Sequence, residues 1–255
     1  MPPLSHLLRR PGRLLPAVLP TVLPPVLRTL LPCSCVLCGG LGDAPVCPAC
    51  TQAHVRDVQA RCPCCANPAG AHDGARPCGA CLAAPPAFDA TVAACDYAVP
   101  VDALVLQLKF GARLALAPWM AQRLREAFLA RAALPLPDVL CPVPLGPRRL
   151  VERGYNQALE VARPLAAALG IALAPRLAAR QVETAAQSGV APGERRRNVR
   201  GAFALAADAR LAGMHVGVVD DVMTSGHTLD ELAGVLKRAG AARVTNLVFA
   251  RTPPH

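Results

Sequence analysis

Apolar positions change their period along this chain, and the changes mark its elements. Val216-Gly217-Val218-Val219 is an unbroken apolar or small run of the kind that forms a strand buried on both faces. It ends on two adjacent carboxylates, Asp220 and Asp221. Beyond a short polar turn, Leu229, Leu232, Ala233 and Leu236 recur at i, i+3, i+4 and i+7, which is one face of a helix. The same alternation runs upstream. Residues 91–98 predict a strand, and residues 101–110 an apolar-faced helix ending at Gly111. Residues 114–134 predict a helix disturbed at Pro118, residues 139–143 a strand stopped by Pro144, and residues 155–169 a helix closed by Gly170. Residues 243–250 predict the last strand. Strands alternating with helices predict an α/β fold with a mainly parallel sheet.

The turn after Asp221 is the most informative stretch. Met223-Thr224-Ser225-Gly226-His227-Thr228 places hydroxyls and a glycine between the carboxyl end of a strand and the first turn of a helix. Ligands of open α/β sheets bind beyond the carboxyl ends of strands. A helix N-terminus offers free N–H groups to an anion. Two carboxylates at the strand end accept hydrogen bonds from sugar hydroxyls. A hydroxyl here also serves as an ordinary N-cap, so paired acids alone would carry little weight. The whole string resembles the phosphoribosyl-pyrophosphate signature of type I phosphoribosyltransferases. That resemblance implies that Asp220 and Asp221 hold the ribose 2′- and 3′-hydroxyls. It also implies that Thr224, Ser225, Gly226, His227 and Thr228 wrap the 5′-phosphate. Ser225 stands where a threonine is frequent, and the hydroxyl is kept.

A different pattern governs the first third. Eight of the twelve cysteines form C-x-x-C pairs: Cys35/Cys38, Cys47/Cys50, Cys62/Cys65 and Cys78/Cys81. Each pair presents two thiolates to one tetrahedral zinc ion, and two pairs complete a site. Eight ligands predict two structural zinc ions in a small double ribbon, with the pairs used either in order or interleaved. Gly39 after the first pair and Gly79 within the last supply permissive backbone for tight knuckles. Cys33 and Cys64 crowd the motif as alternative ligands, and Cys95 and Cys141 lie in predicted strands as small apolar residues. A disulfide framework belongs to oxidising compartments, whereas a phosphoribosyl-pyrophosphate site implies cytoplasm. An all-thiolate site also leaves no open coordination position for catalysis.

Composition adds less. The formal charge of +10 favours anionic partners, phosphorylated molecules and nucleic acid alike. In residues 1–32 an arginine-led apolar run imitates a leader, but Pro16, Pro20, Pro24 and Pro25 break it. The run is too interrupted for stable membrane insertion. These residues are expected to form a proline-rich disordered extension. Residues 33–85 then form the zinc module and residues 86–255 the α/β domain, with a hinge at residues 83–87.

Two middle stretches carry charge. Pro142-Val143-Pro144-Leu145 leads through Arg148 and Arg149 to Arg153-Gly154-Tyr155-Asn156-Gln157, which reads either as a second phosphate site or as a solvated basic turn. Gln187-Ser188-Gly189 leads to Arg195-Arg196-Arg197-Asn198-Val199-Arg200 and Phe203, which reads either as a lid over an anion or as a solvated face. The four cysteine pairs, Leu108-Lys109-Phe110, Arg153 to Gln157, the Gln187 to Phe203 stretch and the Asp-Asp loop occur in that order. The ordered set resembles the ComF family, late-competence phosphoribosyltransferase-like proteins that include the GntX type.

The resemblance implies a type I phosphoribosyltransferase-like parallel sheet flanked by helices and preceded by a zinc ribbon. It implies phosphoribosyl pyrophosphate with Mg²⁺ at the Asp-Asp loop, and Lys109, Arg153 and Arg195 toward the pyrophosphate or lid. It further implies a role in DNA uptake, with single-stranded DNA or a DNA-uptake protein as partner. Two functions fit: phosphoribosyl transfer to an unidentified acceptor, or a non-catalytic adaptor that docks nucleic acid or a partner through the zinc ribbon. No signature of a purine, pyrimidine or glutamine acceptor accompanies the loop.

Overall fold

Residues 33–55, 60–69, 76–181 and 201–253 are described by the computed structural model. A two-stranded hairpin comes first, β1 (Cys33–Ser34) and β2 (Leu41–Gly42), followed by two short helices, α1 (Pro48–His54) and α2 (Gly79–Ala83). Then come β3 (Ala90–Asp96), α3 (Val101–Phe110), α4 (Leu116–Leu129), β4 (Val139–Pro142), α5 (Pro147–Arg153) and α6 (Gln157–Leu169). Three short strands follow, β5 (Ala172–Leu173), β6 (Ala178–Arg180) and β7 (Phe203–Leu205). The chain closes with β8 (His215–Met223), α7 (His227–Arg238) and β9 (Arg243–Arg251).

The principal sheet has the order β3-β9-β8-β4-β5, and every pairing in it is parallel. The long strands β8 and β9 are central, which explains their nearly continuous burial: both faces are covered. Side chains alternate between two cores. Val92, Ala94, Val219, Leu247 and Phe249 join α3, α4 and α6 on one face. Ala93, Val218, Val244 and Val248 join α7 on the other.

The cysteine segments enter these same cores. Cys35, Val46 and Val55 pack into the α3–α4–α6 core, and Cys62, Cys65 and Ala66 into the α7 core. From Cys33 onward the described residues form one compact unit. The expected hinge at residues 83–87 is tied down, because the Ala87 N–H donates to Asp230 Oδ1 at 2.7 Å.

Predicted boundaries shift for local reasons. Residues 155–156 precede α6 rather than starting it, because Asn156 is extended and caps the helix, its Oδ1 accepting from the Ala158 N–H at 3.0 Å. Pro118 lies in the first turn of α4, where no intrahelical donor is needed, so it leaves that helix intact. The helix ends at Leu129. The basic turn after β4 is itself a helix, α5, with Pro147 in its first turn and Gly154 ending it in the left-handed region at φ +77°.

Candidate functional site

At the carboxyl ends of β4 and β8 lies a cleft of about 230 Å³, lined by both Asp220 and Asp221 and by every residue from Val222 to Leu229. Asp220 and Asp221 occupy successive positions of β8, so they point to opposite sides of the strand. Asp221 is buried and pairs with Lys109 Nζ at 2.6 Å. Asp220 is half-buried and accepts the Asp221 N–H at 2.9 Å. Burial and the neighbouring Asp221 charge hold the Asp220 carboxyl well above the usual carboxylate range, with Lys109 pulling the other way.

The turn after β8 is shaped by Gly226, which sits at φ +83° and caps α7. A Cβ there would meet only the mobile Met223 Cε, at 2.6 Å, so it is the left-handed backbone that reserves the position for glycine. Thr224 and Ser225 are exposed to the cleft, and Ser225 Oγ is 3.2 Å from His227 Nδ1. The helix that follows runs twelve residues, with no side chain capping its N-terminus. Its first-turn amides are available to an anion.

The middle motifs converge on the same place. Asn156 Nδ2 donates to the Val143 carbonyl at 3.0 Å, which fixes the start of α6 to the end of β4. The Tyr155 hydroxyl donates to the Leu108 carbonyl, which fixes the end of α3 and so places Lys109. Arg153 donates to Gln157 Oε1 at 2.8 Å, and its guanidinium lies 4.8 Å over the Phe110 ring. Lys109, Arg149 and Arg153 all line the cleft. Arg180 and Tyr97 line it too, and neither stands out in the sequence. Arg180 lies 5.5 Å over the ring of Phe203, the strand partner with which it is paired in the β6–β7 hairpin. Arg195, with the rest of the expected lid from Gln187 to Arg200, lies outside the described residues.

The eight paired cysteines gather into two clusters in chain order: Cys35, Cys38, Cys47 and Cys50, then Cys62, Cys65, Cys78 and Cys81. Within each, all Sγ atoms lie within 4.8 Å of one another. Cys38 and Cys47 are 3.8 Å apart, and Cys65 and Cys78 3.6 Å. A tetrahedron of thiolates about 2.3 Å from zinc has edges of about 3.8 Å, so both sites fit a structural zinc ion. None of the twelve cysteines is in a disulfide. Cys33 and Cys64 belong to neither cluster. Backbone amides point at the sulfurs: Cys47 N–H to Cys35 Sγ at 3.4 Å and Cys78 N–H to Cys62 Sγ at 3.2 Å. Burial alone would raise both thiols, but these and neighbouring amide donors outweigh it, lowering Cys35 to about 6 and Cys62 to about 7. The permissive backbone is found at Gly39, φ +74°, and at Ala66, φ +55°. Gly79 does not supply it. It opens α2 with ordinary backbone, because the second knuckle makes its turn one residue after Cys65 instead.

Sequence reasoning passes over two buried arginines beneath the site. Arg61 donates from Nη1 to Asp96 Oδ1 at 2.8 Å and to the Ala66 carbonyl at 3.2 Å. Arg251 donates from Nε to the Cys65 carbonyl at 2.9 Å and from Nη1 to the Met223 carbonyl at 3.0 Å. A charged residue directly after the apolar run Leu247 to Ala250 is the available sequence signal for Arg251.

The chain is similar to several known proteins. A family model described as a phosphoribosyl transferase domain matches residues 154–254. The DNA utilization protein YhgH of Salmonella typhi is 39% identical over 228 residues, covering 87% of this chain and 98% of that protein. Its namesake in Escherichia coli K12 is 37% identical with the same coverage. Competence protein F of Haemophilus influenzae is 34% identical over 185 residues, covering 69% of this chain and 79% of that protein. Among solved structures, a purine phosphoribosyltransferase from Pyrococcus horikoshii shares 22% identity over 52% of this chain and 74% of its own, at a TM-score of 0.34. Among the described residues, no helix is long and apolar enough to cross a membrane.

Proposed function

Because the chain belongs to the ComF family, with a type I phosphoribosyltransferase fold and metal-competent cysteine clusters, we propose that its cleft binds phosphoribosyl pyrophosphate and serves the use of incoming DNA in the cytoplasm. The DNA role rests on the names borne by its relatives. The ligand rests on one observation: a left-handed glycine turn of hydroxyl residues at a helix N-terminus, directly after two strand-end carboxylates, in one cleft with four cationic side chains.

In this reading the 5′-phosphate sits at Thr224, Ser225, Gly226, His227 and Thr228, where amides and hydroxyls donate to its oxygens. Asp220 accepts from the ribose hydroxyls. Asp221 is held by Lys109, so the ammonium neutralises one carboxylate and keeps the second available to the sugar. Arg149 and Arg153 lie across the cleft, where they balance the charge of departing pyrophosphate. Mg²⁺ bound with the donor would supply further charge neutralisation at the pyrophosphate. In transfer, the bond from ribose C1 to the pyrophosphate oxygen breaks with both electrons on the leaving group. An acceptor nucleophile then closes on C1 and gives up its proton. The acceptor is the open part of the reaction. The internal Lys109–Asp221 pair also fits a site that binds the donor without turning it over, which is the adaptor reading.

Titration calorimetry with phosphoribosyl pyrophosphate and Mg²⁺, following pyrophosphate release in the same sample, tests the site. Wild type is expected to bind, and the Asp220→Ala, Asp221→Ala double variant to bind at least ~10-fold more weakly. Equal affinity in both would remove these carboxylates from the ligand site. Release of pyrophosphate separates enzyme from adaptor.

The raised carboxyl of Asp220 adds a pH test. Its folded value exceeds the unfolded value of about 3.9, so its contribution to stability is present at acid pH and is lost as pH rises through the folded value. Asp220→Asn keeps that contribution. At neutral pH the variant should melt above wild type while binding the donor more weakly, and the melting difference should shrink toward pH ~4. A variant that melts lower at neutral pH would contradict the buried-charge cost.

A further inference from the structure

Arg251 closes β9, is only 6% exposed, and is bonded both to the second cysteine knuckle and to the end of β8. Its Nε donates to the Cys65 carbonyl at 2.9 Å, inside the second cysteine knuckle. Its Nη1 donates to the carbonyls of Met223 at 3.0 Å, Thr252 at 2.6 Å and Thr224. Met223 ends β8, and Thr224 opens the phosphate turn. Among the described residues, no carboxylate pairs with Arg251. A buried guanidinium without a carboxylate requires a counter-charge. Four thiolates around one zinc ion form a dianionic cluster that supplies it.

The contact to Thr224 has a directional consequence. In a trans peptide the carbonyl and the following N–H lie in one plane and point in opposite directions. A guanidinium that holds the Met223 and Thr224 carbonyls therefore turns the N–H groups of Thr224 and Ser225 away from itself. Both residues line the cleft, so those amides are set for an anion there. Among the described residues, the first cysteine cluster has no such link to the turn. Cys35 packs into the core on the opposite face of the sheet, with α3, α4 and α6.

We infer that Arg251 is a positioning residue that couples the metal-bound state of the second cysteine cluster to the phosphate turn. The second cluster would thus be a control point on the ligand site. Loss of metal from Cys62, Cys65, Cys78 and Cys81 would free the Cys65 carbonyl and loosen the turn, whereas loss from the first cluster would not. The functional part of this inference rests on the turn being the 5′-phosphate seat proposed above. The coupling itself does not depend on the ligand.

Hydrogen exchange of the full chain tests the coupling, reading the peptide over residues 222–228 against the β4 peptide over residues 139–142 as an internal control. Cys81→Ser should speed exchange in the turn about tenfold or more, while Cys50→Ser leaves it within about twofold of wild type. Arg251→Lys should also speed it, because a single ammonium cannot span both the knuckle and the turn. The combined Cys81→Ser, Arg251→Lys chain should exchange no faster than the quicker single variant, as expected of two changes that break one link. Turn exchange unchanged in Cys81→Ser, equal acceleration by Cys50→Ser, or additive effects in the combined chain would overturn the inference.

If Cys81→Ser loses protection in β4 as well, wild type treated stepwise with a zinc chelator serves instead. Turn exchange should then rise with release from the second cluster and not from the first. A turn that follows neither release overturns the coupling. Calorimetry with phosphoribosyl pyrophosphate and Mg²⁺ on the wild-type protein keeps the two ideas apart. Binding without coupling sinks the inference alone, and coupling without binding sinks the ligand assignment alone.

Discussion

The two cysteine clusters have the same ligand set and the same C-x-x-C spacing, yet they are embedded differently in the molecule. The first sits at the β1–β2 hairpin, with Cys38 exposed and its backbone bonds largely local, such as Cys35 N–H to the Gly40 carbonyl and Val36 N–H to the Pro45 carbonyl. Its hold on the sheet is apolar, through Val46 and Val55. The second has two buried ligands, Cys62 and Cys65. It is joined to the sheet by the Thr91 N–H bond to the Pro63 carbonyl, the Arg61–Asp96 pair and the Arg251 bond to the Cys65 carbonyl. Ligand identity alone therefore does not say what a metal site does. One cluster closes a knuckle at the edge of the core, and the other is hydrogen-bonded to β3 and to the end of β9.

Removing one ligand from each cluster should separate them most. Cys65→Ser leaves a buried polar group and an incomplete site tied to Arg251, and should cost about 5 kcal/mol or more. For a chain of this size that lowers the melting temperature by ~10–20 °C. Cys38→Ser, at an exposed ligand, should cost about 2 kcal/mol or less. Zinc release to a chelator should likewise be biphasic, the first cluster emptying first. Equal melting temperatures for the two variants would dissolve the contrast.

The buried pair that docks the second knuckle gives the next largest effect, and an asymmetry. Arg61 has a side chain only 1% exposed, whereas that of Asp96 is 29% exposed. Asp96→Ala strands a buried cation and should cost about 3–5 kcal/mol. Arg61→Met leaves a carboxylate that reaches water and fills the space with an apolar chain, so about 1–3 kcal/mol is expected. Denaturant melts of the two variants give the order directly. A costlier Arg61→Met would mean that its bond to the Ala66 carbonyl, rather than the ion pair, carries the docking.

Much of this was legible in the sequence, and the reasons for the rest are physical. Val101–Phe110 is a helix at its expected bounds because its apolar face and closing glycine act locally. The Asp-Asp turn was legible because strand, carboxylates, glycine and helix face are contiguous. The pairing of the clusters in order was not, because thiolate spacing is the same within either arrangement and only tertiary packing distinguishes them. Arg180 and Tyr97 were missed because each is brought to the cleft by strand pairing distant in sequence. Tyr155 and Asn156 fall in the stretch that reads either as a second phosphate site or as a solvated basic turn. Their side chains instead brace Val143 and Leu108, and it is Lys109 and Arg153 that they deliver. Arg251 was opaque for a deeper reason: its partners are backbone carbonyls, which have no sequence signature.

The smallest effects probe the knuckle turns themselves. Gly39 and Ala66 each follow the first C-x-x-C of their cluster, and each has left-handed backbone, at φ +74° and φ +55°. Gly39 has nothing within 4 Å of an added Cβ, so Gly39→Ala isolates the backbone cost, about 1–2 kcal/mol. Ala66 already bears that cost, and its methyl is completely buried in the α7 core. Ala66→Gly relieves the strain, about 1 kcal/mol, but withdraws a buried methyl, about 0.8 kcal/mol, and loosens the unfolded chain. The three terms nearly cancel, so stability should stay within about 0.5 kcal/mol of wild type. Chemical denaturation of both variants reads the comparison. If Ala66→Gly destabilised by more than Gly39→Ala, the buried methyl would be holding the second knuckle on the sheet, and the embedding that separates the clusters would owe more to packing than to the arginine bonds.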